Sequence, residues 1–583
     1  MSRGEPMNIH IRPSFTQVTI TLIITMIFSS MPLAARDPVS DRSSEGMVST
    51  ACSAATAVGV AILEMGGNAV DAAVATGFAL AVTFPSAGNI GGGGFMLARM
   101  DSGTVFFIDF REKAPLAASG NMYLDLTGEV IEGMSTIGHR ACGVPGTVAG
   151  LYMAWEMYGT LEWEELLEPS IRLAEQGFTI DSHLASSLQK LMKYDTGYPG
   201  LRKFYGENGS PMAPEDTMVQ PELGRVLKMI ARDGPEAFYR GTIAEMIVRE
   251  MEKGGGLITM DDLNDYRSLL REPVIGSYRG HTVISAPPPS SGGIVLLEIL
   301  NILEGFDIPG SDRGRAGVEH LMIEAERRAY SDRALFLGDP DFIEMPLGRL
   351  LSREYATRLR NSIGEKAIAS SSLGEALSGP YESEETTHYS IADGEGNVVA
   401  VTTTLNSAYG SKVVVEGAGF LMNNEMDDFS SKPGVPNIYG LVGGKANAIE
   451  PGKRMLSSMT PTIVLRDDKP LLVLGSPGGS TIITTVARII VNIIDLCMSP
   501  QEAVSDGRIH HQWMPDKVYF EKGTIKKSTL EDLESRGHIL VERSPIGDAQ
   551  VIMIQENEMC GVSDPRRGGS SRGARKVVRK GVE

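Results

Sequence analysis

Thr386 stands where a hydroxyl could act as a nucleophile without a histidine–aspartate pair. The segment Glu385-Thr386-Thr387-His388-Tyr389-Ser390 follows a polar stretch from Ser370 to Glu385 and opens a β-prone run. A threonine hydroxyl is a poor nucleophile at neutral pH. At the head of a chain it gains a base in its own α-amine, whose pKa of about 7.7–8.0 suits it to accept the hydroxyl proton. Such chemistry requires a cut between Glu385 and Thr386. The segment taken alone also fits an ordinary edge strand, because threonine favours strands. His388, two residues on, shares the face of Thr386 if this is a strand. It reads as structural, with an acid–base role as the alternative.

Other polar residues sit at the ends of predicted elements. Arg111 and Glu112 close a strand; Glu425, Asp427 and Asp428 lie in a loop; Ser457-Ser458 precedes a strand; Gly478-Gly479 precedes a helix. Singly, each has a plain reading as a surface ion pair, a loop or cap pair, a turn, or a packing need. Their order along the chain changes the weighing. GGNAVDAAVA at 66–75, DFRE at 109–112, GVPG at 143–146 and PPPSSGG at 287–293 come first. TTHYS at 386–390, TLN at 404–406, NNEMDDF at 423–429, SSMTPT at 457–462 and GSPGG at 475–479 follow. This series, from about Glu45 to Arg566, resembles the γ-glutamyltransferase (γ-glutamyltranspeptidase) family of N-terminal nucleophile hydrolases.

The resemblance implies an α+β fold, a four-layer αββα sandwich assembled from two subunits cut from one precursor. It implies a large subunit at 36–385 and a small catalytic subunit at 386–583, with self-cleavage between Glu385 and Thr386. The Thr386 hydroxyl would attack the γ-amide of glutathione or a similar compound and pass the γ-glutamyl group to water, an amino acid or a dipeptide. Thr404 would orient the nucleophile, and Gly478 and Gly479 would stabilise the oxyanion. Arg111, Ser457 and Ser458 would hold the substrate's α-carboxylate, since a guanidinium fork matches a carboxylate. Asn406, Glu425 and Asp428 would receive its α-ammonium. No cofactor is implied. Two alternatives remain: a cephalosporin-type acylase with the same nucleophile, and a maturation-defective exported binding protein. The carboxylate-binding set argues against the first.

The elements that must position these residues are legible in outline. Ala54–Val82 reads as two buried helices, the second capped by Asn68; Gly91–Gly94 feeds a strand over Phe95–Ala98; Thr104–Phe110 is another strand. Residues 149–270 read as mainly helical, and Pro287–Gly293 as a rigid turn before a helix. Thr387–Val401 has a hairpin signature around Asp393-Gly394-Glu395-Gly396-Asn397. Thr462–Leu465 and Leu471–Leu474 form a further pair, and Ser480–Ile494 a helix.

Composition sets outer limits. The chain has 583 residues, 42% apolar and 22% charged, with a net charge of −19 that argues against broad nucleic-acid binding. Arg3, Arg12, an apolar run over Val18–Phe28 and small residues to Ala35 predict a signal peptide at 1–35 and an exported, periplasmic or extracellular protein. Cys52, Cys142, Cys497 and Cys560 are too scattered for a disulfide framework and read as buried free thiols. No metal is expected, because His510-His511 lacks a third ligand at metal spacing. The Gly91–Gly94 run lacks the Lys-Ser/Thr of a phosphate loop. The arginines and lysines beyond Arg566 predict a disordered basic tail at 567–583.

Residues 433–444 carry two prolines and four glycines, the mark of a long structured loop. They are similar to a lid that some family members have, in which Tyr439 would cover the γ-glutamyl pocket. A lid that excludes water favours an amine acceptor. Trimming 433–444 is therefore expected to move the transfer-to-hydrolysis ratio toward hydrolysis; an unchanged ratio in product analysis removes the lid assignment.

Overall fold

The computed structural model describes residues 39–575, apart from 195–196, 205–208, 309–313, 374–385, 433, 436, 439 and 442. The signal segment 1–35, Glu385 at the expected cut and Tyr439 of the expected lid lie outside the described residues.

Two antiparallel seven-stranded sheets form the centre. The first runs Ser570–Gly573, Gly46–Thr50, Thr386–Asp393, Val398–Thr404, Gly93–Arg99, Val105–Phe110, Leu269–Arg271. The second runs Val39–Ser43, Glu558–Ser563, Gln550–Gln555, Lys469–Gly475, Thr462–Arg466, His281–Ser285, Val274–Tyr278. Strand side chains alternate between faces, so each sheet contributes to two apolar layers. Phe95, Leu97 and Ala400 of the first sheet meet Ile463, Val473 and Ile552 of the second between the sheets. Their neighbours point the other way. Tyr389, Ile391, Val399 and Val401 pack under the helices Ser53–Met65 and Ala69–Thr83. Val464, Leu472, Leu474 and Val551 pack under Gly292–Leu303 and Thr481–Ile494. The result is the four-layer αββα sandwich that the resemblance implies.

Local chemistry explains the elements beside the site. Asn68 accepts from the amides of Val70 and Asp71, and the Asp71 carboxylate accepts in return from the Asn68 amide. That capping box starts a helix whose 15 residues are all buried. The hairpin Thr462–Arg466/Lys469–Gly475 turns at Asp467 and Asp468, with φ of 50° and 60°. Two consecutive left-handed residues make the turn twist that two-residue hairpins require.

The strand Thr386–Asp393 is buried along its whole length. Covering both faces of such a strand is worth about 1.5–3 kcal/mol for each large apolar side chain, so Tyr389 and Ile391 anchor it firmly. The glycine run is a packing device. A Cβ on Gly92 would lie 2.1 Å from the Thr404 carbonyl oxygen, and one on Gly94 would lie 2.3 Å from that of Thr402. Only glycine lets these backbones approach so closely.

The tail expectation needs correction. Ser570–Gly573 is an edge strand paired with Gly46–Thr50. Arg566 is buried between Glu521 (2.6 Å) and Asp564 (3.1 Å). The backbone partner of the edge strand lies at the other end of the chain, so no local pattern announces it, whereas the side chains of Arg572 and Arg575 are exposed, as the basic composition implies. Residues 576–583 lie outside the described residues.

Gly92→Ala is expected to lower the melting temperature by several degrees, because it drives a methyl group into backbone at a cost of about 1–3 kcal/mol. Gly348→Ala, in the short helix Leu347–Leu350 where a Cβ meets nothing within 4 Å, supplies the comparison in the same calorimetric scan. Equal, small shifts for both would contradict the close-approach argument.

Candidate active site

Thr386 is the first residue of its strand and pairs across the hairpin with Thr404, the last residue of the next. Their hydroxyls are 3.3 Å apart. The Asn406 amide donates to the Thr404 hydroxyl at 2.8 Å, and Asn406 holds a left-handed φ of 75°. The strand-to-loop turn thus fixes Thr404 from behind. Thr386, Thr404, Asn406, Arg111, Glu425, Asp428, Ser457, Ser458 and Gly479 line one cavity of about 280 Å³, with Leu441, Met459 and Ile482. These residues come from two strands of the first sheet, from the helix Thr481–Ile494 and from loops more than 300 residues apart in sequence. Gly478 is adjacent in the chain but does not line the cavity.

Charge is concentrated on one wall. Arg111 is fully buried and pairs with both Glu425 and Asp428. Its third acidic neighbour, Glu112, stands 3.6 Å away. Burial alone would push the Arg111 pKa down, but Glu425, Asp428 and Glu112 together hold it above its ordinary value. Burial raises the Glu425 and Asp428 pKa values despite the opposing pull of Arg111. One oxygen of Glu425 has no hydrogen-bond partner among the described residues. A buried acceptor of this kind is costly until something donates to it. Glu425 and Asp428 both line the cavity with raised pKa values, so an ammonium placed against them favours their ionised forms and the wall can take one. If the carboxylates turn to that ammonium, Arg111 is released for an anion.

The serine and glycine loops also border the cavity. The Ser457 amide donates to the Pro289 carbonyl at 2.9 Å, tying the loop to the PPPSSGG turn. Gly478 and Gly479 have φ of 133° and 54° and lead into the helix Thr481–Ile494. Backbone N–H groups at a helix start favour negative charge. Part of the expected lid borders the carboxylates: the Asn437 side chain donates to Asp428 at 3.2 Å, and the Ile438 amide to Asp427 at 3.0 Å.

Sequence reasoning did not single out several residues here. Leu441, Met459 and Ile482 are cavity walls whose apolar side chains carry no chemical signal. Arg333 donates to the hydroxyls of Ser291 (2.9 Å) and Ser458 (3.2 Å). It lies in the long helix Gly314–Phe336, amid other charged residues that mask it in sequence. The fold also gathers His320, Glu324 and His538, with potential metal-ligand atoms within 4.8 Å of one another. Arg327 and Arg328 occupy the two Glu324 oxygens, at 3.1 Å and 2.7 Å, which opposes a cation. Of the four cysteines, Cys142 and Cys560 are buried and Cys52 half-buried, but Cys497 is exposed, contrary to the expectation of buried thiols.

His388 shares the Thr386 face, as strand geometry requires. Its ring nitrogens contact the hydroxyls of Thr402 (2.8 Å) and Ser390 (3.1 Å). Burial pushes its pKa down to about 3. A ring so depressed stays neutral until the pH falls far below 6.5. Its ¹⁵N resonances are therefore expected to remain those of a neutral imidazole from pH 8 to pH 5; a titration in that range would return it to acid–base candidacy.

Comparison with known proteins agrees with this geometry. The family model described as gamma-glutamyltranspeptidase matches residues 55–574. The "Glutathione hydrolase proenzyme" of Escherichia coli K12 is 49% identical over 528 residues, covering 90% of this chain and 91% of the relative. The crystal structure of cephalosporin acylase from Bacillus halodurans superposes with a TM-score of 0.82 at 28% identity, covering 93% of this chain and 98% of the other. The structure of Helicobacter pylori gamma-glutamyltranspeptidase gives a TM-score of 0.53 at 42% identity, covering 54% of this chain and 90% of that one. With a match over nearly all the described sequence and a cavity that carries the family's motifs, the chain belongs to the gamma-glutamyltranspeptidase family.

Proposed function

We propose that this protein is an exported, self-cleaving γ-glutamyltransferase and glutathione hydrolase whose nucleophile is the hydroxyl of Thr386. The observation that carries this reading is the shared cavity: the Thr386 hydroxyl lies in it with one buried guanidinium and two carboxylates, Glu425 and Asp428. A free amino-acid head offers the complementary pair of charges. The proenzyme name of the Escherichia coli relative supports the cut.

The steps follow from the residues. Before cleavage the Thr386 nitrogen is an amide and cannot serve as a base. Cleavage after Glu385 frees it as an amine, which takes the Thr386 hydroxyl proton as the oxygen attacks the γ-carbonyl. The oxyanion is received by the amides of Gly478 and Gly479. The amine returns the proton to the leaving nitrogen, the C–N bond breaks, and a γ-glutamyl ester remains on Thr386. Water or an amine acceptor then attacks that ester by the same route in reverse. Thr404 holds the nucleophile's rotamer. Arg111, Ser457 and Ser458 take the α-carboxylate; Asn406, Glu425 and Asp428 take the α-ammonium.

This division of roles decides between donors. An α-linked glutamyl residue has no free α-carboxylate and leaves buried donors unsatisfied, at about 1–3 kcal/mol each. The same argument weighs against the acylase reading, although the Bacillus halodurans acylase has the same fold. A substrate without an amino-acid head leaves Arg111 and the serine pair unused.

Denaturing electrophoresis with N-terminal sequencing is the direct test. The smaller fragment is expected to begin Thr386-Thr387-His388, and Thr386→Ala to give one uncut, inactive chain. Cleavage elsewhere removes the nucleophile assignment. Arg111→Lys keeps the charge but loses the fork. It is expected to self-cleave and to raise KM for a γ-glutamyl anilide about 10–100-fold, as losing a charge-assisted bond of about 1.5–3 kcal/mol implies. An unchanged KM would displace Arg111 from the carboxylate site.

A further inference from the structure

Arg333 is a buried cation bonded to the cavity lining that the scheme above does not use. It is 5% exposed, on the helix Gly314–Phe336. The two side-chain hydrogen bonds described for its guanidinium end on serine hydroxyls, not on carboxylates: Nε on Ser291 at 2.9 Å and Nη2 on Ser458 at 3.2 Å. Ser291 is not a bystander. Its hydroxyl and its amide both donate to the Ser457 carbonyl, at 2.7 Å and 2.8 Å. One planar guanidinium therefore grips both residues of the serine pair, Ser458 directly and Ser457 through Ser291. The PPPSSGG turn fits this arrangement closely. A Cβ on Gly292 would lie 2.4 Å from the Thr460 hydroxyl and 2.5 Å from the Met459 carbonyl, so the turn can reach the serine loop only as glycine there.

The direction of the bonds matters. Arg333 donates, so the Ser458 oxygen accepts and its own proton is left to point elsewhere. Ser458 lines the cavity, so that proton has the cavity to point into. A hydroxyl that accepts from a cation is polarised and donates more strongly. Burial lowers the Arg333 pKa; Asp428 acts on it as an attracting charge and Arg111 as a repelling one. A buried guanidinium satisfied only by neutral hydroxyls is stabilised further by an anion bound on the far side of those hydroxyls.

We propose that Arg333 is a positioning residue for the donor's α-carboxylate: through Ser291 and Ser458 it aims the serine pair into the cavity and adds a second positive charge behind Arg111. It acts at a distance from the reacting bond, so it sets donor affinity and the preference for a carboxylate-bearing head rather than the chemical step. The proposal rests on the γ-glutamyl reading above.

The test compares γ-glutamyl-p-nitroanilide with 4-aminobutyryl-p-nitroanilide, which keeps the amine and lacks the α-carboxylate. Arg333→Gln is expected to self-cleave. It should raise KM for the γ-glutamyl donor about tenfold or more, with kcat within about threefold of wild type. The preference for the γ-glutamyl donor should fall by the same factor. Arg333→Lys, which keeps charge without the bridge, should lie between. Adding Arg333→Gln to Ser458→Ala should cost less than it does alone. Equal losses on both donors, a fall in kcat at constant KM, or fully additive losses would overturn the assignment. If Arg333→Gln does not mature, Ser291→Ala and Arg333→Lys decide: a selective rise in KM supports the assignment and its absence overturns it. A wild-type protein inactive on the γ-glutamyl anilide sinks the γ-glutamyl reading itself. An active wild type with indifferent variants sinks only the role of Arg333.

Discussion

Everything at this site depends on holding the head of one strand still. A threonine that is to use its own amine must sit at a chain end, and chain ends ordinarily fray. Here the head of the strand, Thr386–His388, pairs on one side with Thr402–Thr404, the following residues 389–393 pair on both sides, with Val398–Val401 and Gly46–Thr50, and the whole strand is buried. Tyr389 and Ile391 fix it to the helical layer, and His388 and Ser390 face the second sheet. Such a strand keeps its register whether or not residue 385 remains attached. On the proposed reading, a nucleophile at the first position of a central strand would have a free amine without a loose end.

Neighbouring backbones accept this constraint as well. Gly92 and Gly94 lie against the carbonyls of Thr404 and Thr402, and a Cβ on Gly475 would lie 2.3 Å from the His388 ring. The small residues around the hairpin are thus the space into which the central strands fit. The neutral, doubly hydrogen-bonded His388 belongs to the same packing.

Much of this was readable in sequence. The hairpin, the capped helix at Asn68 and the Gly478-Gly479 helix start all follow from local rules of period, capping and turns. The motif residues themselves were legible because their types are unusual for their positions. What escaped depended on distant contacts. Ser570–Gly573 carries too weak a pattern to declare itself a strand until Gly46–Thr50 offers a partner. Arg566, at the edge of the expected tail, meets Glu521 only through the fold. Arg333 was hidden by a helix in which charged residues are common and many are buried. No local rule distinguishes a buried arginine from an exposed one when its partners are serines elsewhere in the chain.

The charges of the cavity wall tie these observations together. Arg111 with Glu425, Asp428 and Glu112 would be a poor stabilising device, since three buried carboxylates repel one another and burial disfavours each. Their raised pKa values register that cost. On the proposed reading a zwitterionic head would relieve it in both directions: its ammonium would give the carboxylates a second cation, and its carboxylate would give Arg111 an anion in exchange. Net charge in the cavity does not change on binding, so affinity comes from re-pairing charges that are already buried. The desolvation of the protein's own groups is met during folding rather than at the encounter, which is what preorganisation means for a charged site.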